Sequence, residues 1–146
     1  MTGPDGVIQR TRLAAYAWCE DGDRVLLVRI APGEPGAGQW ILPGGGLDFG
    51  EDPADGVLRE LGEETGLTGR IDDLVDLRSG VFEPAATRSG HRVHAIAILY
   101  RVTVTGGELR DEVGESSDRA AWVPLDALAA LPATDLLRWA QERVGR

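Results

Sequence analysis

The chain predicts an α/β domain of the α+β kind, and three observations carry that reading. Short segments rich in aliphatic, β-branched and aromatic residues have the composition of strands, and a single strongly capped helix lies near the middle of the sequence. Two further helical patterns close it. A length of 146 residues suits one domain, 1–146, with a core of its own.

Arg12–Cys19 (RLAAYAWC) and Arg24–Ile30 (RVLLVRI) read as strands joined by the turn-forming Glu20-Asp21-Gly22-Asp23, an opening hairpin. Ala31–Gly38 (APGEPGAG) is a loop by its Pro and Gly content. Gln39–Leu42 is a short strand that runs into Pro43 and three glycines. Asp52 is placed to cap a helix whose first position is Pro53, where the missing amide hydrogen and fixed φ of proline cost nothing, and Gly66 is placed to end it. Inside this helix Gly56 and Gly62 each cost about 1 kcal/mol relative to alanine. Ile71–Phe82 and the long Arg92–Thr105 carry the content of sheet strands, Ala121–Val123 that of a short one. Leu125–Leu131 and Asp135–Val144 have helical spacing, separated at Pro132.

Composition narrows the function. With 42% hydrophobic and 27% charged residues, no apolar run long enough for a bilayer and no signal-peptide pattern, the expectation is a cytoplasmic protein without a membrane partner. Cys19 is the only cysteine, which excludes an internal disulfide, and its apolar surroundings predict a buried thiol rather than a nucleophile. His91 and His94 lack a cysteine partner for a zinc site. A net charge of −9 argues against a nucleic-acid polymer as partner, because backbone binding needs clustered positive charge. An anionic small molecule would have to be received locally, by a metal and a few arginines.

The acids of the central helix supply such a place. Glu60, Glu63 and Glu64 fall within five residues, and at about 100° per residue they share one helix stripe, next to the apolar Val57, Leu58 and Leu61. Like charges at i+3 and i+4 destabilise a helix by a few tenths of a kcal/mol per pair unless a cation offsets them. Carboxylate oxygens suit Mg²⁺, which takes few protein ligands and completes its octahedron with water and phosphate oxygens; Mn²⁺ accepts the same set.

The spacing goes further. In GGLDFGEDPADGVLRELGEETGL, residues Gly45, Glu51, Arg59, Glu60, Leu61, Glu63, Glu64, Gly66 and Leu67 meet every fixed position of the pattern G-x5-E-x7-R-E-U-x-E-E-x-G-U, with U a bulky aliphatic residue. On these residues the chain resembles the Nudix hydrolases. The resemblance implies a Nudix-type α/β/α sandwich with a central mixed β-sheet. It implies metal-dependent cleavage of the pyrophosphate bond of a nucleoside triphosphate, or of a nucleoside diphosphate linked to another moiety.

It also implies roles. Glu60 and Glu64 would ligate Mg²⁺ or Mn²⁺, with Glu63 joining them or serving a second ion; Glu51 would act as base or metal support, oriented by an ion pair with Arg59. Glu51 and Glu63 both stay open as the general base. Gly45 and Gly66 are expected in turns. Relatives often recruit a further acid from the loop before the last strand, for which Glu115 is the first choice here and Glu112 the second. Arg29 resembles the basic residue that many members place on substrate phosphate. Gly45 and Gly46, which deliver the chain to the motif, and Phe82, an aromatic suited to stacking on a base, complete the expected substrate-binding set.

Asp48 stands where relatives commonly carry glutamate, which leaves the fixed motif intact. The proline that marks ADP-ribose hydrolases is absent from its usual place, where this chain has Phe82 with Pro84 two residues on. ADP-ribose, a nucleotide sugar, a dinucleoside polyphosphate and an oxidised nucleotide therefore stay open as substrates. The alternative is a catalytically inactive Nudix-like nucleotide-binding or regulatory module, which a whole motif disfavours. A prenyl-diphosphate isomerase on a similar scaffold is disfavoured by the place of Cys19. Many members of the family are dimers, and a homodimer stays open for this chain.

Overall fold

The structure, a computed structural model, describes residues 1–146. Strands β1 (Gln9–Trp18), β2 (Glu20–Asp21), β3 (Arg24–Ile30), β4 (Trp40–Ile41) and β5 (Gly44–Gly46) precede helix α1 (Pro53–Thr65). Strands β6 (Leu67–Phe82), β7 (Arg92–Gly107) and β8 (Ser117–Pro124) lead to helix α2 (Asp135–Arg143). The segment expected as a helix after β8 is a 3₁₀ stretch, Leu125–Ala130, ended by Leu131 in the extended region.

The strands form two sheets. One has the order β5-β1-β7-β6; in the other β3 lies between β4 and β8 and also pairs with β2. β1 and β7 run parallel, with Ala15 opposite Ile98, and the pairings of β1 with β5 and of β7 with β6 are antiparallel. This corrects the opening hairpin. The turn at Gly22 joins β2 to β3, whereas β1 belongs to the other sheet, and the chain changes sheet at Cys19. Gly45 is a second correction, because Gly44–Gly46 pair with Ala14–Tyr16 as an edge strand and Gly45 does not stand in a turn.

Alternation along β1 feeds two cores. Ala15, Ala17 and Cys19 point toward Val57 and Leu61 of α1, while Trp18 packs with Leu99 of β7 and with Leu137 and Ala140 of α2. One helix thus covers each side, giving the α/β/α arrangement of a mixed sheet. Each fully buried leucine, Leu61 among them, stabilises the fold by about 2 kcal/mol. Cys19 is completely buried, and desolvation pushes its thiol up to about 12, so it is inert. No helix is long and apolar enough to cross a membrane.

Helix α1 begins and ends as its sequence predicts. The Asp52 carboxylate accepts from the Ala54 amide at 2.9 Å, and Gly66 closes the helix at φ 76°, donating to the Gly62 carbonyl. Arg110 adds a second cap from the chain after β7, donating to the Gly62 carbonyl at 3.1 Å.

Candidate active site

The motif folds α1 back onto the free edge of β5. Antiparallel pairing with β1 uses the ladder groups on one side of β5 and leaves Gly44 and Gly46 with groups facing outward. Both meet the helix. The Gly44 amide donates to Glu64 Oε1 at 2.7 Å, and the Gly46 carbonyl accepts from Arg59 Nη2 at 3.2 Å. Gly44 sits at φ 149°, and a Cβ there would run into the backbone of Ala15 and Tyr16, so no other residue fits.

Arg59 ties the loop to the helix. It donates to both oxygens of Glu51, from Nε at 2.8 Å and from Nη2 at 2.9 Å, and its Nη1 reaches Glu60 at 3.1 Å and Glu63 at 3.2 Å. Glu51 Oε1 also accepts from the Asp48 amide at 3.0 Å. The Arg59 guanidinium, aided by that amide, holds the Glu51 carboxyl down at about 2, which fixes it as a carboxylate. Asp48 lies 3.7 Å from Arg59 Nε, at the rim of the same cluster.

The three helix acids do not share one environment, contrary to the expected single stripe. Glu64 continues the inward row of Val57 and Leu61 and is 4% exposed; Glu63 is half-exposed and turned toward Arg59. Glu60 lies between them, with its side chain 16% exposed. Desolvation raises the pKa of Glu60 and raises that of Glu64 well above the ordinary value; the charge of Glu60 raises Glu64 further, and those of Glu63 and Glu112 raise Glu60. The opposing influences are Arg59 on Glu60 and the Gly44 amide on Glu64.

A cleft of about 280 Å³ opens beside this pair, lined by Glu60, Glu64, Gly44–Gly46, Arg12 and Tyr16, with Ser117 of β8 across from them. The donor chemistry fits a hard divalent cation. Two partly desolvated carboxylates on successive helix turns, repelling one another and opening on one cleft, would be stabilised by a shared dication. No three His, Cys, Asp or Glu side chains converge as a complete cage. A pair alone suits an ion that leaves most positions to water and phosphate oxygens.

The remaining candidates separate in space. Glu112 is the loop acid whose charge bears on Glu60 and Glu64, and it accepts from Ser117 Oγ at 3.0 Å. Glu115, preferred on sequence, is exposed and makes no ion pair or hydrogen bond. Arg29 is not free for phosphate, because its guanidinium is spent on Asp118 at 2.8 and 3.0 Å. Phe82 lies half-exposed at the end of β6 and does not line the cleft. Gly45 does line it: a Cβ there would stand 3.1 Å from the Glu60 carboxyl carbon. Sequence reasoning passed over Arg12, whose place beside the carboxylates depends on the pairing of β1 with β5.

The chain is thus a mixed-sheet sandwich in which an edge strand of glycines is clasped by an acidic, capped helix beside a cleft. The NUDIX domain family matches residues 10–142, and the chain belongs to that family of pyrophosphate-bond hydrolases. It is 31% identical, over all of its length and 93% of the relative's, to an RNA pyrophosphohydrolase of Acidiphilium cryptum. It is also 31% identical to an ADP-ribose pyrophosphatase of Methanocaldococcus jannaschii, over 82% of this chain and 69% of that one. Among solved structures, a MutT NUDIX hydrolase from Burkholderia pseudomallei superposes with a TM-score of 0.78 at 30% identity, covering 92% of this chain and 98% of that one.

Proposed function

We propose that this chain hydrolyses the diphosphate linkage of a nucleoside diphosphate joined to a second group, with Mg²⁺ or Mn²⁺ held by Glu60 and Glu64. The observation that carries the reading is the carboxylate pair itself, desolvated, mutually repelling and open to one cleft. The relatives named for ADP-ribose and for RNA support a nucleoside-linked substrate. The net charge of −9 favours a small molecule over a polymer.

When bound, the cation neutralises charge developing on the phosphoryl oxygens and lowers the pKa of the attacking water. The residues do the rest. Gly44 holds Glu64 in place through its amide, and the Gly45 position, lacking a side chain, leaves room for the Glu60 carboxylate. Arg59 keeps Glu51 ionised and fixed at the loop end of the helix, so Glu51 serves as support for the site. Glu63, exposed toward solvent, is the freer of the two candidate bases, and Glu112 is the acid placed to add to the ligand set from the loop before β8.

Hydrolysis is followed by chromatographic separation of the two phosphate-bearing products over a panel of ADP-ribose, nucleotide sugars, dinucleoside polyphosphates, oxidised nucleoside triphosphates and a 5′-triphosphorylated RNA. Glu64→Gln is expected to lower the rate on the order of 100-fold or more with Mg²⁺ present. A rate equal to that of the wild type and independent of metal sinks the proposal in favour of a binding module.

A further inference from the structure

The cleft contains a cation that this chemistry has not yet used. Arg12 leaves β1 on the side of Tyr16, and its guanidinium lies over Gly46, where a Cβ would stand 3.2 Å from Nη2 and 3.3 Å from Nε. It lines the same cleft as Glu60 and Glu64. The other arginines nearby are engaged, Arg29 with Asp118 and Arg59 with Glu51. Glu34, the third acid lining the cleft, pairs with Arg88 at 3.2 Å. Arg12 alone is part-buried there without an ion pair, its one polar neighbour being the Tyr16 hydroxyl.

A guanidinium has five N–H donors in a rigid fork, and contact with Tyr16 leaves most of them without a protein partner. Left open in a cleft, that fork matches the geminal oxygens of a phosphoryl group. Its position relative to the acids is equally specific. Adjacent strand residues face opposite ways, so the Gly45 side meets Glu60 while the Gly46 side meets Arg12. The glycine edge therefore separates a carboxylate pair from a fixed positive charge by the thickness of one strand. A diphosphate lying across that edge would have one phosphoryl group toward the carboxylates and their cation and its neighbour toward Arg12.

We propose that Arg12 is a substrate-binding residue that holds the second phosphoryl group of the diphosphate through its guanidinium fork, the part that sequence comparison would have given to Arg29. The assignment rests on the reading that this cleft takes a diphosphate. It bears on Gly46 as well, since a Cβ there would crowd the guanidinium and make it give by a few tenths of an ångström.

The test is calorimetric titration of inorganic pyrophosphate into the full chain with Mg²⁺ present, for the wild type, Arg12→Ala and Arg12→Lys, beside titrations of Mg²⁺ alone. Arg12→Ala is expected to weaken pyrophosphate binding by about tenfold or more, with Arg12→Lys in between, because lysine keeps the charge and loses the fork. Binding of Mg²⁺ alone should be unchanged, and in turnover KM should rise far more than kcat falls. Should Arg12→Ala fail to fold, Arg12→Lys decides by the same readouts. Pyrophosphate binding equal to the wild type in the folded variants overturns the assignment alone. A wild type that binds neither Mg²⁺ nor pyrophosphate overturns the diphosphate reading with it.

Discussion

Two glycines of α1 look alike in sequence and stand in opposite situations. A Cβ at Gly56 would run into Leu47 and stand 3.0 Å from Glu51 Oε1, so the bare backbone there is what lets the loop close over the first turn of the helix. At Gly62 the nearest atom, the Leu67 carbonyl oxygen, would be 3.8 Å away. Gly62→Ala is therefore expected to raise stability by about 1 kcal/mol through helix propensity. Gly56→Ala is expected to lose about 1–2 kcal/mol to overpacking and to slow hydrolysis by displacing Glu51. Urea unfolding of both variants checks the pair, and the same sign of change at both sites would refute this account. At this scale the motif residues were legible because their spacing is fixed. The exposure of Glu63 and the burial of Glu64 were not, since one residue's step around a helix decides which acid follows Leu61 inward. That Arg29 is engaged while Arg12 lines the cleft was hidden for a similar reason. Asp118 lies far along the chain from Arg29, and only strand pairing reveals that it occupies that guanidinium.

The signature helix works against the stability of its own fold. Burial raises the pKa of Glu64, so the folded protein favours the protonated acid, and ionised Glu64 weakens folding at neutral pH in the absence of a cation. That cost vanishes as pH falls below the ordinary carboxylate value of 4.5, where the group is protonated in both states. Metal-free Glu64→Gln is thus expected to unfold at higher urea than the wild type at pH 7 and at equal urea near pH 4. Saturating Mg²⁺ should raise the wild-type midpoint and leave that of the variant unmoved. An apo variant less stable than the wild type at pH 7 contradicts the burial argument. The Glu51–Arg59 pair acts with the opposite sign, since Glu51 held at about 2 adds stability above 4.5 that is lost on acidification. Helix α1 itself was legible from Asp52, Pro53 and Gly66 because capping is local chemistry. β5 was not, because three glycines have the composition of a turn and pair only when β1 is beside them.

Across the whole molecule, the strand segments could be read from their apolar content, but their division between two sheets could not. Cys19 marks the corner, and nothing in RLAAYAWC signals that β1 turns away from β3 to lie beside β7. Long-range pairing of this kind is settled by which faces need burial, and the cores around Trp18 and around Ala15 both depend on β7. A chain truncated at Gly90 is accordingly expected to hydrolyse nothing and to give no cooperative unfolding transition, which circular dichroism and the substrate panel would test.

The parallel pairing of Gln9 with Arg92 also bears on the order in which the protein becomes an enzyme during its synthesis. Closing so long a segment is unfavourable until both partners exist, and the ribosome releases Gln9–Trp18 early and Arg92–Gly107 late. A nascent polypeptide halted between them already carries every acid of the motif, yet the platform under the glycines has not formed. Translation therefore delivers hydrolytic competence in a single late step, once β7 has emerged.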